Sequence, residues 1–265
     1  MLTVVLLVFN QLENTRRCID NLRRNSGPGL KILVIDNGSG PDTACFLEQA
    51  SDQYVRNERN AGVITALNQA WPLVDTPYVA YLHNDAMILE PNWDRKISRL
   101  LRTIPAVGVA GFGGGDGVES NGLRHNFISS LVNAEAHGKR LTTEYMPSVV
   151  IDGFSLIVSR GLLAQLGGMA LGYRLHHFYD LDICLEAIYQ GYNVVTLNCK
   201  VEHRGGVTSA EPDYVHYLQN LSITDQEIHR NNQAVFSAKW GGRTPVLVEG
   251  EFHYVDAHGP ISRQR

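Results

Sequence analysis

Cysteine is scarce in this 265-residue chain: Cys18, Cys45, Cys184 and Cys199 stand far apart and form no C-x-x-C pair. This spacing argues against a disulfide framework or a zinc site and predicts four buried thiols in a reducing compartment. Charge of one sign is also lacking. A formal net charge of −4 gives no electrostatic reason to expect nucleic acid or an anionic membrane as partner. Long apolar runs are missing too. TVVLLVF at 3–9 is too short to span a bilayer and has neither a basic n-region nor a small-residue cleavage site. No later stretch is apolar for long enough, so the sequence predicts a cytoplasmic protein without a transmembrane segment. A Walker loop and a G-x-S-x-G elbow are both absent. GFGGGDG at 111–117 lacks G-x-G-x-x-G spacing and opens no helix, which argues against a dinucleotide fingerprint. What remains, 44% apolar and 19% charged residues, is the composition of an ordinary globular protein.

The first half alternates β-branched runs with helical patterns. TVVLLVF (3–9), KILVID (31–36), PYVAYL (77–82) and AVGVAGF (106–112) read as strands, with a short run around Tyr54–Arg56. Asn10 with Glu13 three residues on reads as a capping box opening a helix with Leu12, Ile19 and Leu22 on one face. AGVITALNQAWPLV and NWDRKISRLLRTI read as further helices. Such alternation predicts a parallel sheet flanked by helices, whose ligands lie at the carboxyl ends of the strands. Phe9-Asn10, Asp36-Asn37 and His83-Asn84-Asp85 all fall at those ends.

The second half is less regular. Residues 111–127 read as a polar, glycine-rich loop, and 140–147 as another loop. SVVIDGFSLIVS (148–159) reads as a strand interrupted at Asp152-Gly153, followed by a helix through Leu162 to Leu166. DLDICLEAIYQG (180–191) reads as an amphipathic helix stopped by Gly191, and 192–203 as a strand ending in His203. Beyond 208 the pattern weakens, although SITDQEIHRNNQAVFSAKW can form a helix.

Three positions carry candidate chemistry, each with a plainer alternative. Asp85 could hold a divalent cation, since hard oxygen ligands suit magnesium or manganese bridging to phosphates; Asn-Asp after a strand is also a common turn. Asp180 and Asp182 open a helix, where acids cap amide donors. Yet FYDLD follows the aromatic, His-rich YRLHHFYD, and rings around a carboxylate desolvate it and raise its pKa towards that of a general base. His203 is either a metal ligand or a hydrogen-bonded surface histidine.

Taken in order, VVLLVFNQLENTRRCIDNL, KILVIDNGSGPDT, NERNAGVITALNQA, AYLHNDAMILEP and VIDGFSLIVSRGLLAQLGGM with HHFYDLDICLEAIYQGYNVV resemble a family 2 glycosyltransferase over about residues 1–208. The resemblance implies the α/β GT-A fold: a Rossmann-like, mostly parallel sheet flanked by helices, with a smaller mixed β region on the acceptor side. It implies a nucleotide-binding half of about 1–112, an acceptor half of about 113–208, and a C-terminal extension at 209–265. His83-Asn84-Asp85 occupies the place of the family's D-x-D segment, similar to an Asn-Asn-Asp branch. The implied donor site takes Phe9, Asn10, Glu13, Asp36, Asn37, Asn60, Asn68, His83, Asn84, Asp85 and Gly153. Asp85 and His203 would hold Mn2+ or Mg2+. Asp180 would be the base of an inverting transfer from a UDP- or dTDP-sugar, with Tyr179 and Asp182 on the acceptor side. Tyr179 stands where the family has a glutamate. A retaining transferase or a degenerate sugar-nucleotide-binding or carbohydrate-binding protein are the alternatives. A nucleotidyltransferase would carry a basic, glycine-rich signature that LLVFNQLEN lacks. Acceptor sugars, lipid-linked sugars, proteins and small molecules all fit the sequence, as does a homodimer.

Overall fold

The computed structural model describes residues 2–132, 138–204 and 212–262. β1 (Leu2–Val8) runs into α1 (Leu12–Asn25), then β2 (Lys31–Asp36), α2 (Pro41–Ala50), β3 (Gln53–Arg56), α3 (Val63–Ala70) and β4 (Tyr78–Leu82). β5 (Ala86–Ile88), α4 (Trp93–Thr103) and β6 (Val107–Gly111) complete the alternating part. β1 and β2 are buried on both faces because they are nearly unbroken runs of Val, Ile and Leu, as parallel strands covered by helices must be. α1 turns Cys18, Ile19 and Leu22 inward and leaves Arg23 and Arg24 in its last turn, where cations favour the helix C-terminus.

Residues 111–127 differ from the expected loop. They form β7 (Gly113–Gly115), β8 (Gly117–Val118) and β9 (Arg124–His125), and the glycines of β7 and β8 are buried. The physical reason is close backbone approach: a Cβ on Gly114 would run into Val150 O and Thr196 Oγ1, and one on Gly111 into Ser155 O and Ile151 Cγ2. Polarity at these glycines marks the absence of side chains, not exposure to water. Gly111→Ala is expected to cost about 1–3 kcal/mol by overpacking. An unchanged urea midpoint would show that the neighbouring strand yields freely.

The chain continues through β10 (Ile128–Ser129), β11 (Lys139–Arg140), β12 (Tyr145–Ser148), β13 (Val150–Ile151), β14 (Ser155–Ser159), α5 (Arg160–Leu166) and α6 (Tyr179–Tyr189). β15 (Asn193–Leu197) and β16 (Val201–His203) replace the single strand expected over 192–203, and β12 replaces part of the 140–147 loop. α7 (Pro212–Asn220), α8 (Asp225–Trp240), β17 (Val246–Glu249), β18 (His253–Asp256) and β19 (Gly259–Pro260) close the chain. α8 has the capping box that the sequence pattern suggested for α1: Thr224 and Glu227 satisfy each other's backbone amides. At α1, Asn10 and Gln11 are both left-handed, no side chain caps the helix, and Glu13 points to solvent beside Arg16. α6 is not amphipathic; every residue from Tyr179 to Leu185 is buried. Cys45 is exposed, against the expectation of four buried thiols, because α2 buries only Thr43 and Leu47.

The central eight-stranded sheet has the order β12-β15-β6-β14-β4-β1-β2-β3. β1 pairs parallel with β2 and β4, β2 with β3, and β15 with β6, while β14 runs antiparallel between β4 and β6. Smaller sheets flank it; in one, β17 of the C-terminal segment pairs with β8. The expected boundary at 208 lies outside the described residues. Among the described residues no helix is long and apolar enough to cross a membrane.

Candidate active site

Register brings the functional side chains to one end of the sheet. β14 is antiparallel to β4 with Ser155 opposite Leu82, so the Asp152-Gly153-Phe154 turn stands beside His83. His83 N donates to Phe154 O at 2.9 Å. β16 pairs with β5 with His203 opposite Ala86, which carries the imidazole to Asp85. Asn84 is buried and donates to Thr15 Oγ1 at 2.9 Å, tying the turn to α1.

Asp85 Oδ1 lies 3.2 Å from His203 Nε2 and 3.9 Å from His83 Nδ1. Burial alone would raise the Asp85 carboxyl, but the His203 hydrogen bond and the charges of both histidines hold it below the usual carboxylate range. His203 stacks on Phe154 with centroids 4.6 Å apart, which fixes its ring. Beneath, burial and the Asp85 charge push the Cys18 thiol up to about 12, so it stays protonated. One carboxylate and two imidazoles form a donor set that fits a divalent cation by chemistry and by spacing. Two ligands about 2.1 Å from one ion at a right angle stand roughly 3 Å apart, close to the Asp85–His203 separation.

A second charged group, missed by sequence reasoning, stands across the same cavity. Arg124 donates from Nη1 to Asp152 Oδ2 at 2.7 Å and from Nη2 to Asp180 Oδ2 at 2.8 Å. Gly153 N donates to the same Asp180 oxygen at 3.1 Å. Burial raises the Asp180 carboxyl above its ordinary value; Arg124 opposes this and the Asp152 charge adds to it. Asp152 is driven the other way, because Arg124 outweighs its burial. The only signal for Arg124 was a lone arginine in the glycine-rich 111–127 stretch.

The cavity holds about 960 Å³. Phe9, Asn37 and Asn60 line one part, His83, Asn84 and Asp85 another, and Gly153, Tyr179 and Asp180 a third. The Asn37 amide donates to Asn60 Oδ1 at 2.8 Å and accepts from Ala61 N at 2.9 Å, so these residues hold one another. Tyr214 and Tyr217 of α7 and His229 of α8 also line the cavity, none of them singled out from sequence.

Other candidates are held elsewhere. Asp36 is fully buried, bound by Arg56, Tyr54 Oη and Ser39 N, and does not line the cavity. Asn10 accepts from Gly40 N and donates to Asp213, bridging the turn before α2 to the first turn of α7. Asn68 clasps both backbone groups of Met169 at 2.8 Å. Glu13 is exposed. Asp182 turns away to accept from Tyr173, Trp240 and Lys239.

The sequence matches the model "Glycosyl transferase family 2" over residues 3–166. No curated protein matches the chain in sequence. Among solved structures it is similar to GalNAc-T7 with UDP, GalNAc and Mn2+, at TM-score 0.62 and 16% identity over 83% of this chain; the match spans 47% of that protein's length. It is also similar to the mannosyltransferase PcManGT from Pyrobaculum calidifontis in complex with GDP-Man and Mn2+, with TM-score 0.55, 15% identity, and coverage of 91% of this chain and 75% of that one. S. aureus TarS 1–349 follows at TM-score 0.53 and 13% identity, over 75% and 57% of the two chains. At these identities the likeness to solved structures speaks for the fold, and the family model speaks for descent. The chain is a member of glycosyl transferase family 2 with the GT-A fold.

Proposed function

We propose that this protein transfers a sugar from a UDP- or dTDP-linked donor to an acceptor hydroxyl, with inversion and with the help of a divalent cation. The observation that carries this reading is one cavity lined on one side by Asp85, with His203 beside it, and on another by the Asp180–Arg124 pair. Phe9 with the mutually held Asn37 and Asn60 gives an aromatic and amide slot for the pyrimidine. Asp85 and His203, with His83 alongside, would hold the cation. Two imidazoles favour manganese over magnesium, which prefers oxygen. A cation there supplies positive charge to the departing diphosphate. The Asp180 carboxylate takes the proton of the acceptor hydroxyl as that oxygen attacks the anomeric carbon, and Arg124 and Gly153 N aim it. Tyr179, packed against Gly153, shapes the acceptor side.

Thermal shift with UDP-, dTDP- and GDP-sugars, each with and without Mn2+, tests the reading. Stabilisation that needs nucleotide and metal together supports it and selects the base. No shift at millimolar ligand would point to a degenerate fold that has lost its donor. Asp85→Ala is expected to abolish the manganese-dependent part of donor binding. Equal donor affinities by titration calorimetry, with metal present, would remove Asp85 from this role.

A further inference from the structure

A second group of metal-ligating side chains stands in the same cavity wall, built from elements that contribute nothing to the Asp85 centre. Asp225, in the first turn of α8, accepts at a single oxygen, Oδ1, from two imidazoles: His176 Nε2 at 2.6 Å and His177 Nε2 at 3.1 Å. Neighbouring residues in extended chain point to opposite sides. Here Leu175, His177 and Phe178 all have positive φ, and the two rings lie 4.1 Å apart, centroid to centroid. Non-glycine residues in that region cost about 1–3 kcal/mol each and persist where the surroundings impose them, typically at ligand sites. The imposing group is Asn232, buried in α8. Its amide donates to Arg174 O and His176 O and accepts from Arg174 N at 2.8 Å. Tyr214 Oη lies 3.0 Å from Nδ1 and 3.5 Å from Nε2 of His176 and closes that side of the cluster.

We propose that His176, His177 and Asp225 form a second metal site, for a zinc-class divalent ion. Two imidazoles and one carboxylate are a borderline-soft set that suits zinc. Tetrahedral ligands about 2.05 Å from zinc stand roughly 3.3 Å apart; the Asp225–His177 pair at 3.1 Å is close to that spacing, and the Asp225–His176 pair at 2.6 Å would open by about 0.7 Å. His176 and His177 both line the cavity, which leaves the remaining coordination position facing the space where an acceptor would enter. The ion would clamp the segment preceding Asp180 to the start of α8.

The test is zinc content after equilibrium dialysis, measured by plasma mass spectrometry in an Asp85→Ala/His203→Ala background. That background keeps the other centre from contributing, so the result does not depend on the proposed donor site. The expected result is one zinc retained per chain, lost on adding His177→Asn and Asp225→Asn, with far-UV circular dichroism reporting the fold of the metal-free proteins. His176→Asn, which removes one ligand and leaves the other two, is expected to weaken zinc binding at least about 10-fold. No zinc in the background, or equal zinc with and without the added pair, would make the cluster a hydrogen-bond clamp and overturn the proposal. Should the added pair prevent folding, unchanged affinity in His176→Asn would overturn it instead.

Discussion

Asn in place of Asp180 is expected to lower turnover by about 10²–10⁴-fold, the usual size of a lost general base, and to leave donor binding near its original strength. The Asp180 side chain lines the cavity with Arg124 and Gly153 N holding one oxygen, so Asn keeps the shape and loses the basicity. Burial raises the Asp180 carboxyl, and the acid limb of the kcat/KM profile should therefore lie above the ordinary aspartate range of about 3.9. Arg124 pulls the same group down, so Arg124→Gln should move that limb to higher pH. Stability should respond in the opposite sense to activity. A group whose folded pKa exceeds its unfolded one favours folding fully below the unfolded value and loses that contribution as pH rises through the folded one. At neutral pH the charged Asp180 opposes folding, so Asp180→Asn should melt no lower than the parent, Arg124 retaining Asp152. An unchanged turnover, or an anomerically retained product, would take the role of base away from Asp180.

Asp182→Ala has its effect on stability instead. The Asp182 carboxylate is 2% exposed and accepts from Tyr173 Oη at 2.7 Å, Trp240 Nε1 at 2.8 Å and Lys239 Nζ at 2.8 Å. Removal leaves two buried donors without an acceptor and a half-buried ammonium with only Glu186. Breaking such a buried pair from one side costs about 3–5 kcal/mol, or roughly 6–20 °C in Tm for a protein of this size. Asp182→Asn, which still accepts from Tyr173 and Trp240, should recover part of the loss. A Tm within 2 °C of the parent would mean that water or Glu186 takes over the contacts. The contrast between two aspartates separated by one residue is the point: α6 turns Asp180 to the cavity and Asp182 to α8.

That contrast also marks where sequence reading ran out. Strand–helix alternation over 1–112 was legible because each element is local, its period set by which face meets the sheet. Strand ends pointed to Asp85, since ligands of such sheets gather there, and the structure sets it on the cavity wall beside His203. Asp36 stood at an equivalent end, yet Arg56 and Tyr54, from the neighbouring strand, turn it inward. Nothing local distinguishes the two. α2 was invisible because only Thr43 and Leu47 are buried, too few to give a period. Its one signal was Pro41 at the first helical position.

By itself, the sequence determined the order of the main strands in the alternating half, the family, and the carboxylates and imidazoles available for chemistry. Tertiary structure decided which of them meet. Arg124 joins Asp152 and Asp180 across 28 and 56 residues, and β16 brings His203 to Asp85 through pairing with β5. Tyr217 of α7 reaches Asn60 O at 3.2 Å, and Lys239 reaches Asp182 from the far end of α8. The physical reason is the same in each case. Local periodicity records which face of an element is apolar, whereas a partner for a buried charge is fixed by sheet register and helix docking, which sum contacts from the whole chain.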